Sequence, residues 1–303
     1  MCARWIVARS GPAGRADMPL HTRLVGQATD AISQEADARW IMAYAAGIGD
    51  LNPRYMDTQA GRVIAHPVFP VCLEWPVVLA SRALAGSESM TPEEGARGVH
   101  AAHDLHIYRP IRAGERLTTR ATVLSLQGIR PGAAQMLRLD SVDENGSLVC
   151  RTYQLGISRG VAVEGAPVAA VEDPPPLPER LQNKRAAVHS LSVPAGAAHV
   201  YTECARIFNP IHTDRAVALA AGLPDIILHG TATMAMAVSL LVNEYLDGDP
   251  TRVCRLGGRF SAMVLMPADL SLIVSGVSDE AVSFSVQTED GGRAFDNAFL
   301  CYR

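Results

Sequence analysis

The sequence predicts an α+β fold made of two fused repeats, each a buried apolar helix wrapped by an antiparallel sheet. Three observations carry this expectation. A proline-rich break divides the 303 residues into halves of similar size. The halves repeat each other's polar motifs at matching positions. Each half then runs through an apolar stretch into a series of alternating segments, which is the order expected of a helix followed by half-buried strands.

The break is Glu172-Asp-Pro-Pro-Pro-Leu-Pro-Glu179. Four prolines in five positions cannot continue a helix or a central strand and favour an extended spacer. It sets the organisation as a flexible tail over 1–20, a first repeat over 21–165, a linker over 166–179 and a second repeat over 180–303. In the tail, Arg4, Arg9 and Arg15 surround the apolar patch Trp5-Ile-Val-Ala8, and Gly-Pro-Ala-Gly follows. That patch is shorter than the ~7–15 apolar residues of a secretory signal; a transit peptide is the alternative reading.

The repeat is visible residue by residue. The first half carries Tyr44-Ala-Ala-Gly-Ile-Gly49-Asp50-Leu-Asn52-Pro53-Arg-Tyr55-Met-Asp57. The second carries Tyr201-Thr-Glu203-Cys-Ala-Arg-Ile207-Phe-Asn209-Pro210-Ile-His212-Thr-Asp214. The tyrosines, Asn-Pro pairs and final aspartates all lie 157 residues apart. A second match sets Val63-Ile64-Ala65-His66-Pro67 against Ile226-Ile227-Leu228-His229-Gly230. Apolar stretches follow at 68–84 and 231–246. The Ala- and Met-rich run after Gly230 favours helix, whereas Pro70 and Pro76 are expected to kink or shorten its counterpart. Segments 99–110, 116–126, 134–142 and 148–157 then read as strands, separated by Arg112-Ala-Gly114, Arg130-Pro-Gly132 and Glu144-Asn-Gly146. The second half offers 253–265, 270–277, 281–288 and 294–302, with a turn at Glu289-Asp-Gly-Gly292. A helix apolar around most of its circumference must be covered, so the sheet is expected to wrap it.

With these residues in place, the chain resembles the MaoC-like, or (R)-specific enoyl-CoA hydratase, family. The resemblance rests on Asn209-Pro-Ile-His212-Thr-Asp214 and on Ile-Leu-His229-Gly230 opening a buried helix, and it extends over the chain from about residue 24. It implies a double hotdog fold and a lyase that adds water to enoyl thioesters or removes it from 3-hydroxyacyl thioesters, carried on CoA or acyl carrier protein. It also implies no cofactor, CoA or phosphopantetheine entering only as part of the substrate. That chemistry needs a base for water, an acid for Cα and a donor for the enolate oxygen.

The family motif, Gly-Asp-x-Asn-Pro-(Ile/Leu)-His, is incomplete in both halves. The second keeps Asn209 and His212, together with Gly230, but places Ile207 where the family has its aspartate. The first keeps Gly49, Asp50 and Asn52 but has Tyr55 for the histidine and Pro67 for the glycine, and proline has no N–H to donate. The second repeat is therefore expected to carry the site: His212 as acid/base, Asn209 orienting it, and the Gly230 N–H on the thioester oxygen. Asp50, Asn52 and Tyr55 are degenerate counterparts, and the first repeat is expected to shape an acyl tunnel and an interface. For the missing base, Glu203 stands four residues before Ile207, on the same face if the helix continues; Tyr201 is a weaker substitute. His66 and His229, matched in both halves, read as structural hydrogen-bonding residues.

Other classes are disfavoured. With 27 basic and 31 acidic residues, a net charge of −4 leaves no basic surplus for nucleic acid. No run of ~18 apolar residues suggests a membrane span. Six scattered cysteines without a Cys-x-x-Cys pair suit neither a metal site nor a disulfide framework, so free thiols in a reducing cytoplasm are expected. Arg109, Arg112 and Arg116, and Arg252, Arg255 and Arg259, are candidate phosphate contacts. A hotdog thioesterase and a non-catalytic acyl-thioester-binding protein are the rival functions; a homodimer is left open.

Overall fold

The structure, a computed structural model, describes residues 19–88, 98–183 and 187–303. Most of the expected tail lies outside these residues; its end does not, because Leu20 is buried in a two-residue strand, β1 (Leu20–His21), pairing with β7 (Val163–Glu164).

The alternating segments pair into one antiparallel sheet of ten strands. In the first half these are β2 (Ile32–Ala36), β3 (Gly98–Ile107), β4 (Glu115–Ile129), β5 (Gly132–Val142) and β6 (Leu148–Arg159). In the second half they are β8 (Ala187–Val193), β9 (Val253–Phe260), β10 (Ala268–Val277), β11 (Ala281–Gln287) and β12 (Arg293–Tyr302). The order β2-β4-β5-β6-β3-β9-β12-β11-β10-β8 reads the same from either end once the second half is mapped onto the first. The halves join at β3 and β9, where Asp104 faces Gly257 and His106 faces Arg255. A side chain at Gly257 would have its Cβ 2.3 Å from the His103 carbonyl oxygen, so the junction closes only around glycine.

The sheet wraps the two long helices as the sequence predicts. Helix α3 (Pro70–Ser81) accepts Pro70 at its first position, where no N–H is needed, and carries Pro76 inside. Pro76 does not end the element, which runs twelve residues against the sixteen of its counterpart, shorter as the prolines lead one to expect. Helix α6 (Gly230–Tyr245) buries alanines, threonines, Met234, Val238, Leu241 and Val242. One hydrophobic cluster runs from Trp40 and Phe69 to Leu241 and Phe295 and so spans both repeats. Two edge strands, β2 and β8, extend each half of the sheet beyond the four strands expected. The linker runs as a strap over both repeats: Glu172 accepts from Arg138 at 2.5 Å, and the Pro176 carbonyl accepts from Arg255 at 3.0 Å.

A shorter helix precedes each motif: α1 (Ala38–Gly47) and α4 (Ala197–Ala205). They pack across the pseudo-twofold axis. Trp40 donates its indole N–H to the Cys204 carbonyl at 3.0 Å, and the Tyr44 and Tyr201 hydroxyls lie 3.4 Å apart.

Candidate active site

In the second repeat, α4 stops at Ala205 because Arg206 takes a left-handed conformation, φ 57°, where the first repeat has Gly49 at φ 77°. The turn drives Ile207 inward, to 5% exposure, and leaves Phe208 58% exposed. Asn209 then opens a 3-10 turn, Pro210–His212, and its side chain caps nothing. Asp214 closes the segment by accepting from the Ala216 and Val217 N–H groups at the start of α5 (Arg215–Ala220).

This turn places His212 under the residues leading into α6. Its Nδ1 lies 2.8 Å from the Ile227 carbonyl oxygen. A carbonyl can only accept, so Nδ1 carries the hydrogen and Nε2 is left with its lone pair. Burial pushes His212 down to about 4, so the imidazole is neutral at physiological pH. Its ring stacks on that of His229, with centroids 3.6 Å apart and planes 24° apart. His229 Nε2 lies 3.2 Å from the Thr202 hydroxyl. Burial, with His212 alongside, holds His229 well below the ordinary histidine value.

Gly230 is the first residue of α6, so its N–H is one of the four amides that no intrahelical carbonyl can satisfy, at the positive end of the helix dipole. Glycine is required here by space: a Cβ would lie 2.8 Å from the Phe260 ring. A cleft of about 440 Å³ opens beside the motif, lined by His199, Thr202, Glu203, Phe208, Asn209, Pro210 and Thr213.

The first repeat is built on the same plan and is closed. Asn52 caps the short helix α2 (Pro53–Met56) and donates from Nδ2 to the Gly248 carbonyl at 2.8 Å, so the turn after α6 fills the space that lies open beside Asn209. Asp50 is buried, with Oδ1 accepting from the Asn52 N–H at 3.1 Å. Tyr55 is buried without a partner for its hydroxyl, and burial together with the Asp50 carboxylate pushes the phenol well above its usual value. His66 accepts from the Val68 N–H on Nδ1 and contacts the Ser239 hydroxyl through Nε2 at 3.1 Å. Pro67 supplies no N–H. The narrow pocket beside His66 and Pro67 measures about 20 Å³, room for about one water.

Two expectations are corrected. Glu203 does not share a face with Ile207: the left-handed Arg206 ends the helix between them, and Glu203 is exposed on the cleft wall. Tyr201 is wholly buried, donates to the Thr231 hydroxyl at 3.1 Å and has its phenol raised by burial, all of which oppose the role of a substitute base. Two arginines offered for phosphates are also committed within the chain: Arg255 forks onto Asp104 with both bonds at 2.8 Å, and Arg109 pairs with Glu115 and Asp143. Sequence reasoning missed Thr202, Phe260 and the His212–His229 stack. Among the described residues no group of three histidine, cysteine or acidic side chains could hold a metal ion, and no helix is long and apolar enough to cross a membrane.

The family model described as MaoC like domain matches residues 180–293, and the model described as FAS1-like, dehydratase domain region, matches residues 23–152. The chain is 28% identical to the peroxisomal enoyl-CoA hydratase 2 of Arabidopsis thaliana over 185 residues, 55% of this chain and 56% of that protein. It thus spans little more than half of that enzyme's length. It is 25% identical to the 3-hydroxyacyl-thioester dehydratase Y of Mycobacterium tuberculosis over 262 residues, 85% of this chain and 88% of that protein. The crystal structure of a MaoC-like dehydratase from Phytophthora capsici superposes with a TM-score of 0.78 at 22% identity, covering 92% of this chain and 96% of that one.

Proposed function

The chain belongs to the MaoC-like double-hotdog family, and from that premise we propose that it is a hydro-lyase for enoyl or 3-hydroxyacyl thioesters, worked by the second repeat alone. The observation that carries this reading is His212: its Nδ1 is fixed by the Ile227 carbonyl, leaving Nε2 free as a base on the repeat whose motif borders an open cleft.

In the hydration direction, Nε2 of His212 takes a proton from water as the water oxygen bonds to Cβ of the enoyl chain. The displaced π electrons move to the thioester oxygen, where the Gly230 N–H and the helix dipole hold the enolate charge. The imidazolium of His212 then returns the same proton to Cα. One O–H bond breaks, one C–O and one C–H bond form, and the histidine ends as it began. Asn209, beside the cleft, orients the water. A positioned acid or base contributes roughly 10²–10⁴-fold, so Ile207 makes this a slower site than one with its aspartate. No cofactor enters beyond the CoA or phosphopantetheine of the substrate, and the unpaired thiols of Cys72, Cys150, Cys204, Cys254 and Cys301 suit a cytoplasmic enzyme.

Incubation with a panel of enoyl and 3-hydroxyacyl thioesters, read by mass spectrometry, tests the reading. Gain or loss of water that His212→Ala abolishes supports it. Free acid as the product points to a thioesterase instead, and unchanged thioesters that nevertheless bind point to a non-catalytic carrier of acyl groups, the role Ile207 would favour.

A further inference from the structure

Taking a proton turns His212 into a cation inside a buried site, and the residue that would ordinarily offset that charge is absent. Where the family motif has a carboxylate, Ile207 presents an alkyl chain, and among the described residues no carboxylate pairs with either His212 or His229. What His212 does meet is the face of His229, 3.6 Å away and nearly parallel. We infer that His229 takes over the electrostatic part of the missing carboxylate's role: its π face supports the imidazolium that forms on His212 during turnover.

Four features fit a ring built to stay neutral and hold still. His229 is the N-cap residue of α6, and its carbonyl accepts from the Ala232 and Thr233 N–H groups at 3.0 and 3.2 Å, so its backbone is fixed by the helix it starts. Its Nε2 meets the Thr202 hydroxyl, and Tyr201 packs on it with centroids 4.9 Å apart. The proton goes to His212 rather than to His229 because His212 Nδ1 lies 2.8 Å from the Ile227 carbonyl, whereas the Ile207 backbone near His229 makes no hydrogen bond of normal geometry and His229 Nδ1 is buried without one. A cation over an aromatic face is stabilised most where water is excluded.

The first repeat serves as an internal control. There the aspartate is kept, as Asp50, and the histidine matching His229 is His66. The ring at the His212 position is Tyr55, and it meets His66 edge-on, with centroids 5.5 Å apart and planes 61° apart. The face-to-face stack occurs in the half that has lost its carboxylate.

The inference rests on the hydro-lyase reading, but its test does not. NMR titration of labelled imidazoles in the full chain reads the acid dissociation constant of His212 directly. In His229→Leu, which removes the π face, the constant rises about 2- to 30-fold; in His229→Phe, which restores a face of similar shape, it stays within about twofold of the parent. Should His229→Leu fail to fold, His229→Met, unbranched and adaptable, takes its place. An unchanged His212 constant in the leucine or methionine variant overturns the inference. In turnover, His229→Leu lowers kcat by the same factor with KM unmoved, and His229→Phe recovers it. If the parent turns over no enoyl or 3-hydroxyacyl thioester, the activity reading falls while the titration still decides the role of His229.

Discussion

Position 207 is where the site departs furthest from its family, and it is testable by a single change. Ile207 is buried at the turn between α4 and the motif, five residues before His212. Ile207→Asp restores the family residue and is expected to raise turnover of the best thioester by about 10- to 100-fold. Burying a carboxylate there costs about 1–3 kcal/mol of stability. Steady-state kinetics and a denaturant melt check both; a variant that folds and gains nothing would show that this site does not work as a hydratase. Gly230→Ala separates space from chemistry. It keeps the N–H but drives a methyl into the Phe260 ring, so activity should fall at least tenfold with about 1–3 kcal/mol lost from stability. His212, Asn209 and Gly230 stood out as candidates in the sequence because the repeat exposes what each half keeps. The Glu203 expectation failed for a local reason that the same comparison contains: Gly49 and Arg206 occupy the same place, and a left-handed turn at both ends the helix before the motif. The histidine stack was not legible, because it depends on a loop folding back so that His212 meets Ile227, fifteen residues on.

At the level of elements, alternation and turn residues placed eight of the strands to within a few residues. The edge strands β2 and β8 escaped notice because they are short and only partly buried, so their alternation is weak. Helix α3 shows tertiary packing overriding propensity. Pro76 lies inside it, yet the burial of Val71, Leu73, Val77 and Val78 under the sheet holds the element together. The element contact on which most depends is β3 against β9. Gly257→Ala would push a methyl onto the His103 carbonyl and force the two halves of the sheet apart. We expect a loss of about 2–4 kcal/mol, seen as a lower urea midpoint and faster hydrogen exchange in β3 and β9 than in β5 or β11. A variant with the parent's midpoint would contradict a tightly closed junction.

Across the whole molecule, buried ionisable groups give stability a pH optimum. His66, His100 and His212 are pushed down by burial to about 3, 4 and 4. Between pH ~4 and 6.5 the unfolded chain therefore binds protons that the folded chain refuses, and stability rises with pH by ~1.4 kcal/mol per unit for each such group. Glu74, buried on α3 with Thr152 donating to it at 2.5 Å, is pushed up by burial to about 8. The folded chain keeps that proton after the unfolded chain has lost it, so Glu74 lowers stability as pH rises from about 4.5 to 8. The histidines outnumber it below 6.5, and above that it acts alone. The melting temperature should peak near pH 6.5 and decline toward 8, and Glu74→Gln should flatten that decline. Calorimetry from pH 4 to 9 checks the sign: a parent that gains stability between 6.5 and 8 would rule out a protonated Glu74 in the core.

The single sheet that runs through both repeats also has a bearing on descent. Two identical chains meeting along β3 and β9 would receive every substitution twice, once in each site, so a change that ruins one ruins both. Covalent fusion ends that obligation. The pairs Asp50 and Ile207, Tyr55 and His212, and Pro67 and Gly230 record separate histories written into one gene, in which the first repeat was free to close while the second kept its opening.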